Sequence, residues 1–324
     1  MAVSLRQRGG RLRDSSIIVT VGEDCEPFDI GRKLPWTRYY PIEFRWVPRT
    51  LFQQLGYYAT AAERYRYNFQ APYVLLLDAD LVISRNLDDL LERAVADAAV
   101  YAVPAYRSPW ENAGLLHIRS DEAWWQVVFE AAGLGEPPLQ CEYSGYGALF
   151  NDDSMRRCPP YFNQGVVLAP AALMNDIGRV LYAEMEAATL AVATVFRIQI
   201  ALTFAILRQK LPWRPLPVRY NYIPTPGSIR SAAQTQYASV SPEEWDDVRV
   251  IHYASIRGWF ERERVMASSE ALEHWLTLTG HDPIESYCRE VFRSIHPEVA
   301  NGKPETRNWT WLRDALKRSG LKAR

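Results

Sequence analysis

Long apolar runs, paired cysteines and net charge are all scarce in this chain, and each shortage removes a class of explanation. Cysteine occurs 4 times in 324 residues, at Cys25, Cys141, Cys158 and Cys288, far apart and with no CxxC, so these read as free thiols in a reducing compartment. The formal net charge is −1, which argues against nucleic-acid binding through the overall field. The opening MAVSLRQRGGRLRDSS lacks an apolar core, so no secretory signal is visible and a cytoplasmic location is expected. The nearest approach to a membrane span is AATLAVATVFRIQIALTFAIL, residues 187–207, but Arg197 and Gln199 sit at its centre. An arginine there costs roughly 2.5–3.5 kcal/mol on insertion scales, so buried soluble helices are the expectation. No internal repeat and no long linker is apparent.

What the chain does have is an ordinary globular balance. Hydrophobic residues make up 48% and charged residues 23%, enough for a sizeable core. The length allows one large domain or two modest ones. A basic flexible arm is expected over residues 1–14, carrying Arg6, Arg8, Arg11 and Arg13 without an acid until Asp14. Strands are expected at SSIIVTV, IEFRWV, YVLLL, AAVYAVPA, GVVLAP, PLPVRYNYIP and VRVIHYAS, and helices between them. Thr50 is expected to cap a helix through LFQQLGYYATAAERYRY, and DEAWWQVVFEAAG reads as a helix stopped by glycine. Strands alternating with helices imply an α/β fold with a mixed, mostly parallel sheet.

The most informative stretch is YVLLLDADLVI, residues 73–83. An unbroken apolar run reads as a parallel strand covered on both faces. Asp78 and Asp80 follow it, and alternate residues of an extended chain face the same way. Two converging carboxylates repel unless one is protonated or a cation lies between them. A divalent cation that also takes phosphate oxygens would settle the conflict, at the strand edge where open α/β sheets bind ligands.

LLLDADLVISRNLDDLL resembles the DxD segment of GT-A glycosyltransferases, and is most similar to the retaining family 8, the glycogenin and LPS galactosyltransferase-like enzymes. YFNQGVVLAP, RIQIALTFAI, RYNYIP and VIHYAS resemble further segments of that family, in the same order, so the likeness spans residues 17–259. The resemblance implies a GT-A (Rossmann-like) catalytic domain over 15–265 and a helical C-terminal extension over 266–324. It implies that Asp78, Ala79 and Asp80 meet the donor diphosphate, with Asp78, Asp80 and His252 holding Mn²⁺ or Mg²⁺. An imidazole beside carboxylates tilts that choice toward Mn²⁺. Arg257 would clamp the diphosphate, standing where the family usually has a lysine about one residue further on. Asn163 would bond donor sugar hydroxyls, and Gln199 would lie near the anomeric carbon. The family usually places an acid directly before that glutamine, and here the residue is Ile198. Arg64 or Arg66 would contact the donor. Thr20, Val21 and Gly22 would line a uracil pocket, with Glu23 and Asp24 at its polar edge. Asp152 and Asp153 are candidates for a covalent nucleophile by position alone.

The implied activity is transfer of a hexose from a nucleotide sugar, a UDP-sugar, to a glycan, glycolipid or small-molecule acceptor with retention. Alternatives are a nucleotide-sugar-binding protein without turnover, supported by Ile198, and a phosphatase of the haloacid dehalogenase type. The latter normally carries its DxD near the chain start with a small hydroxyl residue after it, where this chain has Leu81. GEDCEPFDIG is not the glycine-rich loop a sugar nucleotidyltransferase needs. Trp110, Trp124 and Trp125 are read either as sugar-stacking or as core. In NWTWLRDALKRSGLKAR, Trp309, Leu312 and Leu316 share a stripe ringed by basic residues, which suits docking on the protein or peripheral contact with an anionic membrane. Neither the donor sugar, the acceptor nor the oligomeric state is legible.

Overall fold

The computed structural model describes residues 1–33, 37, 40–106, 108–109, 120–144, 157–223 and 247–252, with His274, Leu276, Thr277, Arg289 and Arg293. Arg257, Asp152, Asp153, Trp110, Cys288 and the basic C-terminal stripe lie outside them.

The chain is α/β, as expected. Strands β1 (Ile17–Val21) and β2 (Ile42–Trp46) pair in parallel, Ile17 opposite Ile42 and Val21 opposite Trp46. A four-stranded mixed sheet runs in the order β3 (Tyr73–Leu77), β8 (Phe162–Pro170), β5 (Val100–Pro104), β9 (Trp213–Pro215). Within it β8 is antiparallel to both β3 and β5, and β9 is parallel to β5. β4 (Leu81–Ile83) leaves that sheet and pairs antiparallel with β10 (Val250–His252). β6 (Cys141–Glu142) and β7 (Arg157–Cys158) form a short antiparallel pair.

Two sequence expectations about YVLLLDADLVI change. β3 is antiparallel to its one strand neighbour among the described residues, and its side chains alternate between buried (Val74, Leu76) and half-buried. The chain also does not stay extended through the acids. Asp78, Ala79 and Asp80 form a turn between β3 and β4, so the two carboxylates converge by turning rather than by strand alternation.

The first residues are not a free arm. α1 (Ala2–Arg8) buries Val3, Ser4 and Leu5, and a 3₁₀ turn follows over Gly10–Asp14. The Ser4 hydroxyl accepts from the Ile83 N–H at 3.0 Å, which satisfies β4 backbone. The arginines read as an unpaired basic run spend their donors on carbonyls: Arg8 on Ser84 at 2.9 Å, Arg6 on Ser15 at 2.7 Å.

The expected long helix after Pro48 is two helices, α3 (Arg49–Leu55) and α4 (Tyr57–Glu63). Gly56 between them has φ 59°, ψ −140°, a backbone that side-chain-bearing residues rarely adopt, and this breaks the helix. Thr50 is inside α3, whose N-cap is Pro48 without a side-chain bond. α5 (Asp88–Ala96) carries Asp88 and Asp89 in its first turn. α6 (Asp121–Ala131) is capped by Ser120 Oγ, which accepts from Ala123 N–H at 3.1 Å. Trp124 and Trp125 on α6 are wholly buried and meet edge to face with ring centroids 4.8 Å apart, so both fill the core rather than offer a stacking surface.

The apolar stretch 187–207 is split between α7 (Ala171–Ala191) and α8 (Arg197–Arg208), which pack against each other. No helix among the described residues is long and apolar enough to cross a membrane. Arg208 pairs with the buried Glu184 at 3.0 Å, clamping α8 to α7. Of PLPVRYNYIP only Pro215, the last residue of β9, is in a strand among the described residues: Pro217 cannot donate to a ladder, and the chain instead makes a 3₁₀ turn at Val218–Tyr220. One isolated bridge follows, Tyr222 to Ile251.

Cys25, Cys141 and Cys158 are free thiols. Cys141 faces Cys158 across β6 and β7; burial pushes the Cys141 thiol up to about 12 and also raises the Cys158 thiol well above its ordinary value. Of these three thiols, only the half-exposed Cys25 should react quickly with a disulfide reagent at about pH 8. Mass mapping of labelled native protein checks the order, and fast labelling of Cys158 contradicts it. Gly178 on α7 gives a second test. A Cβ there would lie 2.1 Å from the Tyr65 carbonyl oxygen at the end of α4, so α7 has to move. Gly178→Ala should lower stability to urea by about 1–3 kcal/mol, even though alanine gains about 1 kcal/mol of helix propensity.

Candidate metal and donor site

Two chain segments meet at one point. The turn after β3 supplies Asp78 and Asp80, and the last residue of β10 supplies His252. Register explains the meeting: β10 runs antiparallel to β4, which places His252 opposite Leu81, next to Asp80. One ligand atom from each of Asp78, Asp80 and His252 lies within 4.8 Å of the others. His252 Nε2 is 3.4 Å from Asp80 Oδ1 and 3.9 Å from Asp78 Oδ2. The imidazole is buried, and the carboxylates are about one-third exposed, so the group opens to solvent on the acid side.

This donor set fits a divalent cation. Two carboxylates and an imidazole converging at these separations are poorly satisfied by one another, and their oxygens and nitrogen suit Mn²⁺ or Mg²⁺ more than a thiolate-seeking metal. Neither cysteine nor a fourth acid is part of the group among the described residues.

Asp78 is held from behind. The Asp78 N–H donates to the Gly165 carbonyl at 2.9 Å, tying the turn to β8. Asp78 Oδ1 accepts from Arg64 at 2.5 Å, which turns Oδ2 toward His252. Arg64 is largely buried at the end of α4, and its second nitrogen donates to the Gln164 carbonyl at 2.9 Å. Burial alone would disfavour its charge, but Asp78 and Tyr65 beside it more than restore it, so the guanidinium stays charged. The alternative candidate, Arg66, points elsewhere: it pairs with Glu63 at 2.9 Å and lies over the Tyr182 ring. Sequence alone could not choose between two arginines two residues apart.

Asn163, at the start of β8, is also in this cluster. Its Oδ1 accepts from the Gly165 N–H at 2.8 Å and from Asn221 Nδ2 at 2.7 Å. Asn221 in turn meets His252 Nδ1 at 3.0 Å. Asn163 therefore has its oxygen committed inside the protein, and only its Nδ2 remains to meet a ligand. Asn221 was missed as a site residue, because its segment read as a strand. Gly165 was also missed, although a glycine inside an apolar strand signals a close approach of other atoms. A Cβ on Gly165 would lie 2.8 Å from His252 Nδ1 and 2.9 Å from Asn163 Oδ1.

Gln199 sits in the first turn of α8, half-buried. That turn is pinned to α4: the Tyr57 and Tyr58 hydroxyls donate to the Val195 carbonyl at 2.9 and 3.1 Å, and the Arg197 guanidinium stacks over Tyr58 at 3.6 Å. The Gln164 amide links the two regions, its Nε2 donating to the Ile198 carbonyl at 2.9 Å. At the end of β1, Thr20 Oγ1 bonds the Tyr67 hydroxyl at 2.7 Å, and the Arg45 guanidinium lies over the Tyr67 ring. Gly22 is required by close packing, since a Cβ there would lie 1.9 Å from Thr60 Oγ1. Asp24 is engaged by Arg49 at 2.9 Å, whose hydrogen bond holds the Asp24 carboxyl below its ordinary range.

No known family description matches the chain, and no curated protein matches it. Solved structures do resemble it in backbone. An active-site mutant of LgtC is 16% identical, with 90% of each chain covered and a TM-score of 0.49. The galactosyltransferase LgtC in complex with donor and acceptor sugar analogues is 16% identical, covering 91% of this chain and 94% of that one, with a TM-score of 0.46. Mouse xyloside xylosyltransferase 1 is 14% identical, covering 79% and 93%, with a TM-score of 0.41. These are likenesses of backbone arrangement, and the chemistry of this chain has to come from its own residues.

Gly165→Ala should weaken Mn²⁺ binding about tenfold or more by displacing the imidazole, a loss typical of disturbed ligand support. Calorimetric titration with MnCl₂ measures it. Wild-type affinity in a folded Gly165→Ala protein would contradict the packing described.

Proposed function

We propose that this protein is a metal-dependent glycosyltransferase of the GT-A type that moves a hexose from a nucleotide sugar, taken as a UDP-sugar, to a glycan, glycolipid or small-molecule acceptor, with retention of configuration. The observation that carries this reading is the convergence of Asp78, Asp80 and His252 on one point that opens to solvent between the two carboxylates. Family 8 resemblance in the ordered sequence segments supplies the reaction class.

In this reading Asp78 through Oδ2, Asp80 through Oδ1 and His252 through Nε2 hold Mn²⁺ or Mg²⁺. When bound, the ion supplies positive charge against the departing diphosphate, the type of electrostatic help that is often the largest catalytic contribution. The remaining work falls to side chains. Arg64 holds Asp78 Oδ1 and so turns Oδ2 toward the ion. Asn163 donates through Nδ2 to a sugar hydroxyl, its oxygen being engaged by Gly165 and Asn221. Gln199 faces the reacting carbon from α8, and Thr20, Val21 and Gly22 border the base. Arg257 completes the diphosphate clamp, and Asp153 stands as the candidate nucleophile. Front-side attack assisted by a diphosphate oxygen needs no nucleophile and is the route favoured. The C-terminal basic stripe would dock on the protein or touch an anionic membrane.

The test is a panel of nucleotide sugars with Mn²⁺, read by thermal shift and by free nucleoside diphosphate. One class of donor should raise Tm and be slowly hydrolysed, and a chelator should abolish both effects. Asp80→Asn should lower turnover by about a hundredfold or more. Donor uptake without any release of diphosphate points to a binding protein instead. Release of phosphate from a simple phosphoester, with no donor turnover, points to a phosphatase.

A further inference from the structure

The hydrogen bonds behind His252 form a chain whose polarity can be read without seeing a hydrogen atom. It starts at a group that can only donate, the backbone N–H of Gly165. The Asn163 atom that meets it at 2.8 Å must be the carbonyl oxygen. Asn221 meets that same oxygen at 2.7 Å, so the Asn221 atom there must be the amide nitrogen. The other end of the Asn221 amide is then an oxygen, and it lies 3.0 Å from His252 Nδ1. An oxygen acceptor obliges Nδ1 to carry the proton. In a neutral ring, Nε2 is left with its lone pair, and Nε2 is the nitrogen 3.4 Å from Asp80 and 3.9 Å from Asp78.

We infer that Asn221 is a positioning residue that locks His252 in the Nδ1–H tautomer and aims the Nε2 lone pair at the cation site, with Asn163 and the Gly165 amide fixing which way Asn221 points. The inference rests on the metal-binding reading only for the purpose of the lock; the lock itself is a property of the metal-free protein. Burial supports it. Asn221 is 1% exposed and His252 6%, so water does not compete for the amide or for Nδ1. Backbone geometry supports it too. The His252 N–H donates to the Tyr222 carbonyl at 2.7 Å, so the residue after Asn221 holds the main chain of the same histidine whose ring Asn221 holds. The contact with Gly165 closes the arrangement, since no other residue leaves room for the ring and the Asn163 amide together. The cost of a reversed Asn221 is concrete: its oxygen would face the Asn163 oxygen, a repulsive contact in a buried place.

A neutral histidine side chain in water favours the opposite proton position, on Nε2, which would put an N–H where a metal ligand is needed. Removing the lock should therefore change the ring before it changes the fold. Long-range ¹H–¹⁵N spectra of the metal-free protein, recorded where histidines are neutral, report the tautomer directly. The chain has 5 histidines, and the His252 signals are identified by their loss in His252→Gln. Wild type should show a protonated Nδ1 and an unprotonated Nε2. Asn221→Ala should shift the ring toward Nε2–H and weaken Mn²⁺ binding about 10–100-fold. Asn221→Asp keeps an acceptor for Nδ1–H, so it should retain the wild-type tautomer and most of the Mn²⁺ affinity while losing thermal stability against the Asn163 oxygen. A merely structural role would lower the stability of both variants and leave the tautomer alone.

Wild-type His252 protonated on Nε2 overturns the lock, as does Asn221→Ala with an unchanged tautomer. The wild-type spectrum decides the matter even where Asn221→Ala fails to fold. A protein that holds the Nδ1–H tautomer yet takes up no Mn²⁺ upholds the lock and overturns the transferase reading, so the two failures are distinguishable.

Discussion

The structure depends on holding two carboxylates and an imidazole together at a place where they would otherwise separate. Asp78 and Asp80 are both acids within a three-residue turn, and His252 enters from a strand some 170 residues later. The two carboxylates repel one another, so the trio needs support from its surroundings. The assembly is imposed from outside, by the pairing of β10 with β4, by Asp78 N–H on the Gly165 carbonyl, and by Arg64 on the far oxygen of Asp78. A site preorganised against its own repulsion is a site that gains when a cation arrives.

β8 is the element that ties this together. It pairs with both β3 and β5, so its place is set by the core. Its opening residues then face the site: Asn163 toward Asn221, Gln164 toward Arg64 and Ile198, Gly165 toward Asp78 and His252. Three consecutive residues thereby connect the packing of the sheet to the aim of Asp78 and His252. A side chain at Gly165 would disturb Asn163 and His252 at once, which is why a glycine interrupts an otherwise apolar strand.

Much of this was legible in the sequence because local pattern and local structure agree. The apolar runs at 17–21, 42–46, 73–77 and 162–170 are strands, and the Ser120-capped run at 121–131 is a helix. Asp78, Asp80 and His252 could be named together only through the ordered resemblance of several segments, since periodicity says nothing about contacts so far apart in the chain. The misreadings have local causes. The helix break at Gly56 depends on a left-handed backbone, and RYNYIP lost its strand to the prolines ahead of it. The basic first residues looked solvated because arginine side chains were counted as surface, whereas several donate to carbonyls while Val3 and Leu5 go inside. Asn221 left no mark at all in the pattern, because a buried amide acquires its role only from the two groups it ends up between.

The most direct test of the central claim is anomalous scattering from crystals of the protein grown with Mn²⁺. The account predicts one strong peak at about 2.1 Å from His252 Nε2 and from an oxygen of each of Asp78 and Asp80. Crystals in which the manganese signal lies elsewhere, with the imidazole still bonded to Asn221 and nothing between it and the carboxylates, would contradict it.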